Sequence, residues 1–285
     1  MKRFAFYLCC LFAVSCTCGN ESVYQQHLIR IDEALERADE YVNMKQQKIS
    51  TIENMLNSRG GTPLQQYHIY RQLFIEYQPF QFDKAKETLE RQLVIAKQIA
   101  SDSLQHCTML DMAMLHTTAG FYLEADEIFA QIDTASLTLD QKVYWYDARQ
   151  KFLHDYQEYV TTSSIEVPDA SQITRYQDRI LEITSDDIPL NRHIRILRII
   201  ENRDFEKAYE ENMAFIASLD KTSRDYAVQT YWQGYICENL DRTEELIKWW
   251  TESALCDIQG AIKDNASLCS IAIKLTDPQD TARAF

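Results

Sequence analysis

Ala119-Gly120-Phe121-Tyr122-Leu123-Glu124-Ala125, with Phe129 one turn further on, is the stretch that decides the fold. Gly120 lets the chain turn, and Tyr122 is expected to plug the gap between two helices. Ala125 admits their close approach and Phe129 fills the space behind it. The pattern recurs. Aligned on Ala125, counterparts fall at Ala85 after Phe82-Asp83-Lys84, at Ala208 after Asp204-Phe205-Glu206-Lys207, at Leu246 after Thr243-Glu244-Glu245, and at Ala284 after Ala282-Arg283. The separations of 40, 83, 38 and 38 residues give a period near 40, with one divergent unit hidden in the long gap. A helix pair of this size cannot bury its apolar face alone, so the units must stack.

In the first unit Tyr70, Leu73 and Tyr77 precede Ala85 and Leu89; in the fifth, Gly234 precedes Leu246 and Trp250. This order of an aromatic, Leu or Gly and Tyr in one helix, then Ala and a large residue four positions on in the next, resembles the tetratricopeptide repeat. The period exceeds that repeat's usual 34 residues. Asn212 stands where Phe129 would be. The resemblance implies an all-α, right-handed solenoid of about six helix hairpins over residues 64–285. The divergent unit reads as a helix near Gln141–Tyr159 and another near Ser171–Thr184. Between them residues 161–169, Thr-Thr-Ser-Ser-Ile-Glu-Val-Pro-Asp, form a loop.

Composition agrees with helices and excludes several functions. Six Gly and five Pro in 285 residues leave little turn chemistry for a sheet protein. The net charge is −14, from 29 basic and 43 acidic residues, without a basic cluster longer than a dipeptide beyond the leader. No nucleic acid is expected to bind through this chain. His27, His68, His106, His116, His154 and His193 are scattered, no Cys-x-x-Cys or His-Glu-x-x-His occurs, and no metal or cofactor is expected. Nor does any constellation supply a nucleophile with its base, so no enzyme is expected.

The chain begins with Lys2-Arg3 and an apolar run from Phe4 to Val14, too short to span a bilayer, which needs about 20 residues. Residues 1–15 read as an export signal. Ala13-Val14-Ser15-Cys16 resembles a bacterial lipoprotein box, which implies a lipid on Cys16, a tether over 16–22 and a membrane anchor in a Gram-negative envelope. From 23 to 59 a single long helix is expected. Leu28, Ile31, Leu35, Ala38, Val42, Lys45, Ile49, Ile52 and Leu56 follow heptad spacing, as a cap on the repeats or as a homodimer seam over residues 28–56.

Three functions remain. The first is a protein- or peptide-binding scaffold whose concave face, lined by the first helix of each pair, presents His68, Arg71, His193, Tyr231, Tyr235 and Glu238. The second rests on the exported start, the heptad helix and Tyr77-Gln78-Pro79-Phe80-Gln81-Phe82-Asp83-Lys84-Ala85. These are similar to the exported sensor half of a Gram-negative family of tetratricopeptide regulators. In that family a transmembrane helix and a cytoplasmic region follow the repeats, so a sequence stopping at Phe285, just after Ala284, would be a truncation with an incomplete last hairpin. The third is a glycan-binding surface lipoprotein that stacks sugar on Trp249 or Trp250, one of which is expected in the core and the other at the rim. The lipid expectation is testable. Cys16→Ser should abolish incorporation of a labelled fatty acid in the source cell, and retained label would remove Cys16 from the account.

Overall fold

The computed structural model describes residues 21–58, 61–160 and 171–276. Cys16, the export signal, most of the tether, the 161–169 loop and Ala284 lie outside them. The described residues hold thirteen helices and no strand. Five hairpins follow one another: α3 (Pro63–Tyr77) with α4 (Phe82–Gln98), α5 (Asp102–Thr118) with α6 (Tyr122–Ala130), α7 (Leu139–Val160) with α8 (Ser171–Ile183), α9 (Pro189–Glu201) with α10 (Phe205–Ile216), and α11 (Arg224–Asn239) with α12 (Thr243–Gln259). α13 (Ala266–Thr276) packs on α12, as the first helix of a sixth hairpin would. Two further helices, α1 (Glu21–Glu36) and α2 (Ala38–Ser58), precede them.

The small anchors Ala85, Ala125 and Ala208 open the second helices and are fully buried, as is Leu246. Four residues later Leu89, Phe129 and Trp250 fill the space behind three of them. The fifth hairpin adds a second device. A Cβ on Gly234 would lie 2.3 Å from the Trp250 ring, so the indole rests directly on the α11 backbone, where its N–H donates to the Tyr231 carbonyl at 3.1 Å. Tyr122 does something other than expected: it packs on Phe152, Tyr156 and Tyr159 of α7 and donates to the Asp155 carbonyl at 3.2 Å. It joins successive hairpins rather than filling its own.

Five connections close in the same way. Gly120, at φ +79°, is followed by a bond from the Phe121 N–H to the His116 carbonyl. The left-handed residue and the six-residue ring together satisfy the last carbonyls of α5. Ala100, Arg203, Asp241 and Ala261 adopt the same conformation with the same pair of bonds. Only one of the five is glycine, so the sequence hides this regularity. At the start of α3, Thr62 and Gln65 form a reciprocal cap ahead of Pro63 at the first helical position.

The expected single helix over 23–59 is divided at Arg37, and its two parts bury their seams on different neighbours. Ile31 and Ala34 of α1 are buried, with Ile31 in a cluster holding Tyr226, Ile247, Trp249 and Trp250. Ile49 and Ile52 of α2 pack on Leu73, Phe74 and Tyr77 of α3. Between them Leu35 and Val42 stay exposed. Ion pairs follow the same division, with Arg30 on Glu252 at 2.8 Å and both Lys45 and Lys48 on Glu76 at 2.8 and 2.6 Å. The connection after α12 also returns to the first hairpin. Ala261 enters the core of α3 and α4, and the Lys263 N–H donates to the Pro79 carbonyl at 2.9 Å. First and last complete hairpins are therefore tied together.

Two glycine-related substitutions separate packing from backbone effects. Gly234→Ala drives a methyl into Trp250 and should cost about 1–3 kcal/mol. Arg203→Gly, at an exposed residue with φ 59°, should stabilise by about 1 kcal/mol by relieving a left-handed residue. Denaturant midpoints at unchanged slope measure both.

Candidate functional site

Stacking hairpins leaves the first helices side by side, and a chain of polar contacts crosses three of them. Arg71 of α3 donates to Asp111 of α5 at 2.6 Å, and the Tyr144 hydroxyl of α7 donates to the other Asp111 oxygen at 2.9 Å. Asp111 sits inside the apolar run Met109-Leu110-Asp111-Met112-Ala113-Met114-Leu115 and is 3 % exposed. Burial pushes its carboxyl above the ordinary value against the opposing pull of Arg71 and Tyr144. The same desolvation, with Asp111 beside it, holds the Tyr144 phenol well above its usual range, so it stays a donor. One turn along α7, Asp147 accepts from the Gln150 amide at 2.9 Å and is likewise pushed up by burial. The Arg71 side chain stays 42 % exposed.

The six expected site residues fall into two groups. His68 and Arg71 share one face of α3, with His68 exposed and edge-on to Tyr67. Tyr231, Tyr235 and Glu238 share α11, and His193 on α9 joins this group through a 2.8 Å hydrogen bond to Gln229. No contact links the two groups. Burial lowers the pKa of His193, which favours the neutral imidazole. Tyr231 stacks on Trp250, Tyr235 meets Phe205 and Trp232 edge-on, and Glu238 faces Lys274 at 3.8 Å. Half-buried Trp232 completes an aromatic ladder that the spacing argument missed, although its position beside Tyr231 was visible. Asp111 and Tyr144 were missed as well. A lone acid in an apolar helical run was the available signal.

Other expectations need correction. Trp249 and Trp250 are both buried, at 7 % and 3 %, so neither forms a rim on which a sugar could stack. Among the described residues Cys107, Cys237, Cys256 and Cys269 are free thiols, of which only Cys237 is fully buried and Cys269 is exposed. Among the described residues no group of three or more His, Cys, Asp or Glu side chains is placed to hold a metal. Nor is any helix long and apolar enough to cross a membrane.

At the far end Arg224 of α11 forks to Asp257 of α12 and to Asp264, the latter at 2.7 Å. Burial, reinforced by Asp264 and opposed by Arg224, pushes Asp257 up to about 6. A carboxyl whose folded pKa is raised binds its proton more readily folded than unfolded, so its contribution becomes more favourable as pH falls from 6 toward 4. The stability of the wild type relative to Asp257→Asn should therefore rise on the order of 2 kcal/mol between pH 7 and pH 4. Parallel denaturation series at both pH values check this; a pH-independent difference would contradict the buried, ionisable Asp257.

The family model of the SusR N-terminal tetratricopeptide repeat (TPR) domain matches residues 35–285. No curated protein matches the chain. TPR domains are scaffolds that bind other proteins rather than catalytic folds. The match spans all five hairpins, α13 and the whole of α2, and the anchors that set the period lie within it: the chain belongs to the SusR N-terminal TPR domain family.

Proposed function

We propose that this chain is a non-enzymatic scaffold of a Gram-negative cell envelope, held at the membrane by a lipid on Cys16, which captures an extended protein segment on its first-helix face. The observation that carries the proposal is the Arg71–Asp111–Tyr144 chain across three successive hairpins. Asp111, held in turn by Tyr144, fixes the Arg71 guanidinium through Nη1, and the other N–H groups of this partly exposed side chain donate to a partner carboxylate or carbonyl. Trp232 and Tyr235 offer apolar contact at the other end of the row. A pre-oriented arginine and rigid aromatics cost little conformational entropy on binding, which is why such residues dominate interaction energies.

A second function is favoured by the family's description as an N-terminal domain: the exported sensor half of a longer regulator. The two share the binding step and differ in what the captured ligand does next. Homodimerisation through residues 28–56 would be left with Leu35 and Val42, since Ile31, Ile49 and Ile52 are occupied within the chain.

Selection of displayed random peptides on the purified domain tests the face. Selected peptides should lose about tenfold or more in affinity on Arg71→Ala or Tyr235→Ala. They should be unaffected by Glu90→Ala on the exposed side of α4. Equal losses at all three positions would sink the assignment.

A further inference from the structure

Three second helices carry a large apolar residue four positions after the anchor: Leu89, Phe129 and Trp250. The fourth carries Asn212, which is fully buried. Its amide nitrogen donates to the Gln229 carbonyl at 3.0 Å and to Gln233 Oε1 at 2.8 Å. These two bonds set the orientation of both amides, because reversing either would bring like groups face to face. Three polar atoms then remain without a partner: Asn212 Oδ1, Gln229 Oε1 and Gln233 Nε2. Their side chains belong to residues that are 0 %, 3 % and 0 % exposed. Gln229 and Gln233 lie one turn apart on the same face of α11, and Asn212 reaches the Gln229 backbone carbonyl and the Gln233 side chain, while the Gln229 side chain meets His193.

We infer that Asn212, Gln229 and Gln233 build an internal site that takes one water molecule between α10 and α11. The chemistry selects the ligand. Asn212 Oδ1 accepts, Gln233 Nε2 donates, and Gln229 offers whichever of its amide atoms His193 does not take, a mixed set that one water, which both donates and accepts, complements; buried waters typically make about three such bonds. An ammonium ion or a metal cation would leave Gln233 Nε2 unsatisfied, and a carboxylate would leave Asn212 Oδ1 so. Asparagine in the place of leucine, phenylalanine or tryptophan also frees space on the order of the roughly 30 Å³ that one water occupies. Gln229 continues the network outward, its amide nitrogen 2.8 Å from His193 Nδ1. The site thus links a side chain of the first-helix face to the interior by consecutive hydrogen bonds.

Water-selective cross-relaxation on the ¹⁵N-labelled protein tests this. The Gln233 side-chain amide should show contact with a slowly exchanging water, and Asn212→Phe, which restores the apolar plug, should abolish it. No contact in the wild type would overturn the inference, as would persistence of the contact in the variant. Should Asn212→Phe not fold, Asn212→Leu serves with the same expected loss, and the wild-type result still decides on its own.

Discussion

The close approach of the two helices in each hairpin is the constraint on which this structure depends. In the fifth hairpin, where Leu246 holds the anchor place, Gly234 of the first helix gives the room beneath Trp250, and in the first, second and fourth an alanine stands where the second helix begins to cross the first. A larger residue there would separate the backbones and unseat the plug four residues on. Tight turns follow from the same geometry. Three connecting residues join α4 to α5, α5 to α6, α9 to α10 and α11 to α12, and the left-handed residue with its six-residue ring terminates a helix within that length. Five occurrences, four of them at non-glycine residues, show tertiary packing overriding the local cost of that conformation.

Stacking then determines what faces where. Each hairpin buries its apolar sides against its neighbours, and the first helices are left in a row whose contacts can be polar. Arg71, Asp111 and Tyr144 occupy that row, and their mutual bonds satisfy groups that would otherwise be stranded in a poorly hydrated region. The ends of a stack are its open question, because a terminal repeat has an uncovered apolar face. Here α1 covers the Trp249 and Trp250 side of α12 while α2 covers α3, and Lys263 bonds back to Pro79. Both ends of the stack are thereby fixed together.

Architecture was legible because it rests on periodic, local signals. The anchors at 85, 125, 208 and 246 each open a second helix, and the divergent unit still forms a helix pair near its expected limits. What was not legible depends on contacts distant in sequence. The heptad spacing of 28–56 is real, yet nothing local says that Arg37 divides the helix or that Ile31 meets Trp249 more than two hundred residues later. Trp249 and Trp250 looked like one core and one rim residue from helical spacing alone; α1 arriving from the other end of the chain buries the second surface. His193 reaches α11 through Gln229, whereas Tyr231 stacks on Trp250 of α12, Tyr235 meets Phe205 of α10 and Glu238 faces Lys274 of α13; His68 and Arg71 lie on α3. Asp111, which organises the latter, gives no periodic signal at all.

A scaffold of this kind binds by presenting a rigid row of side chains, and that is the central claim. Photo-crosslinking in the source cell tests it most directly, with the reactive residue placed at His68 on the first-helix face or at Glu90 on the exposed side of α4. The account predicts a discrete crosslinked partner from position 68 and none from position 90. Crosslinks from position 90 alone, or equally from both, would place binding on another surface and contradict it.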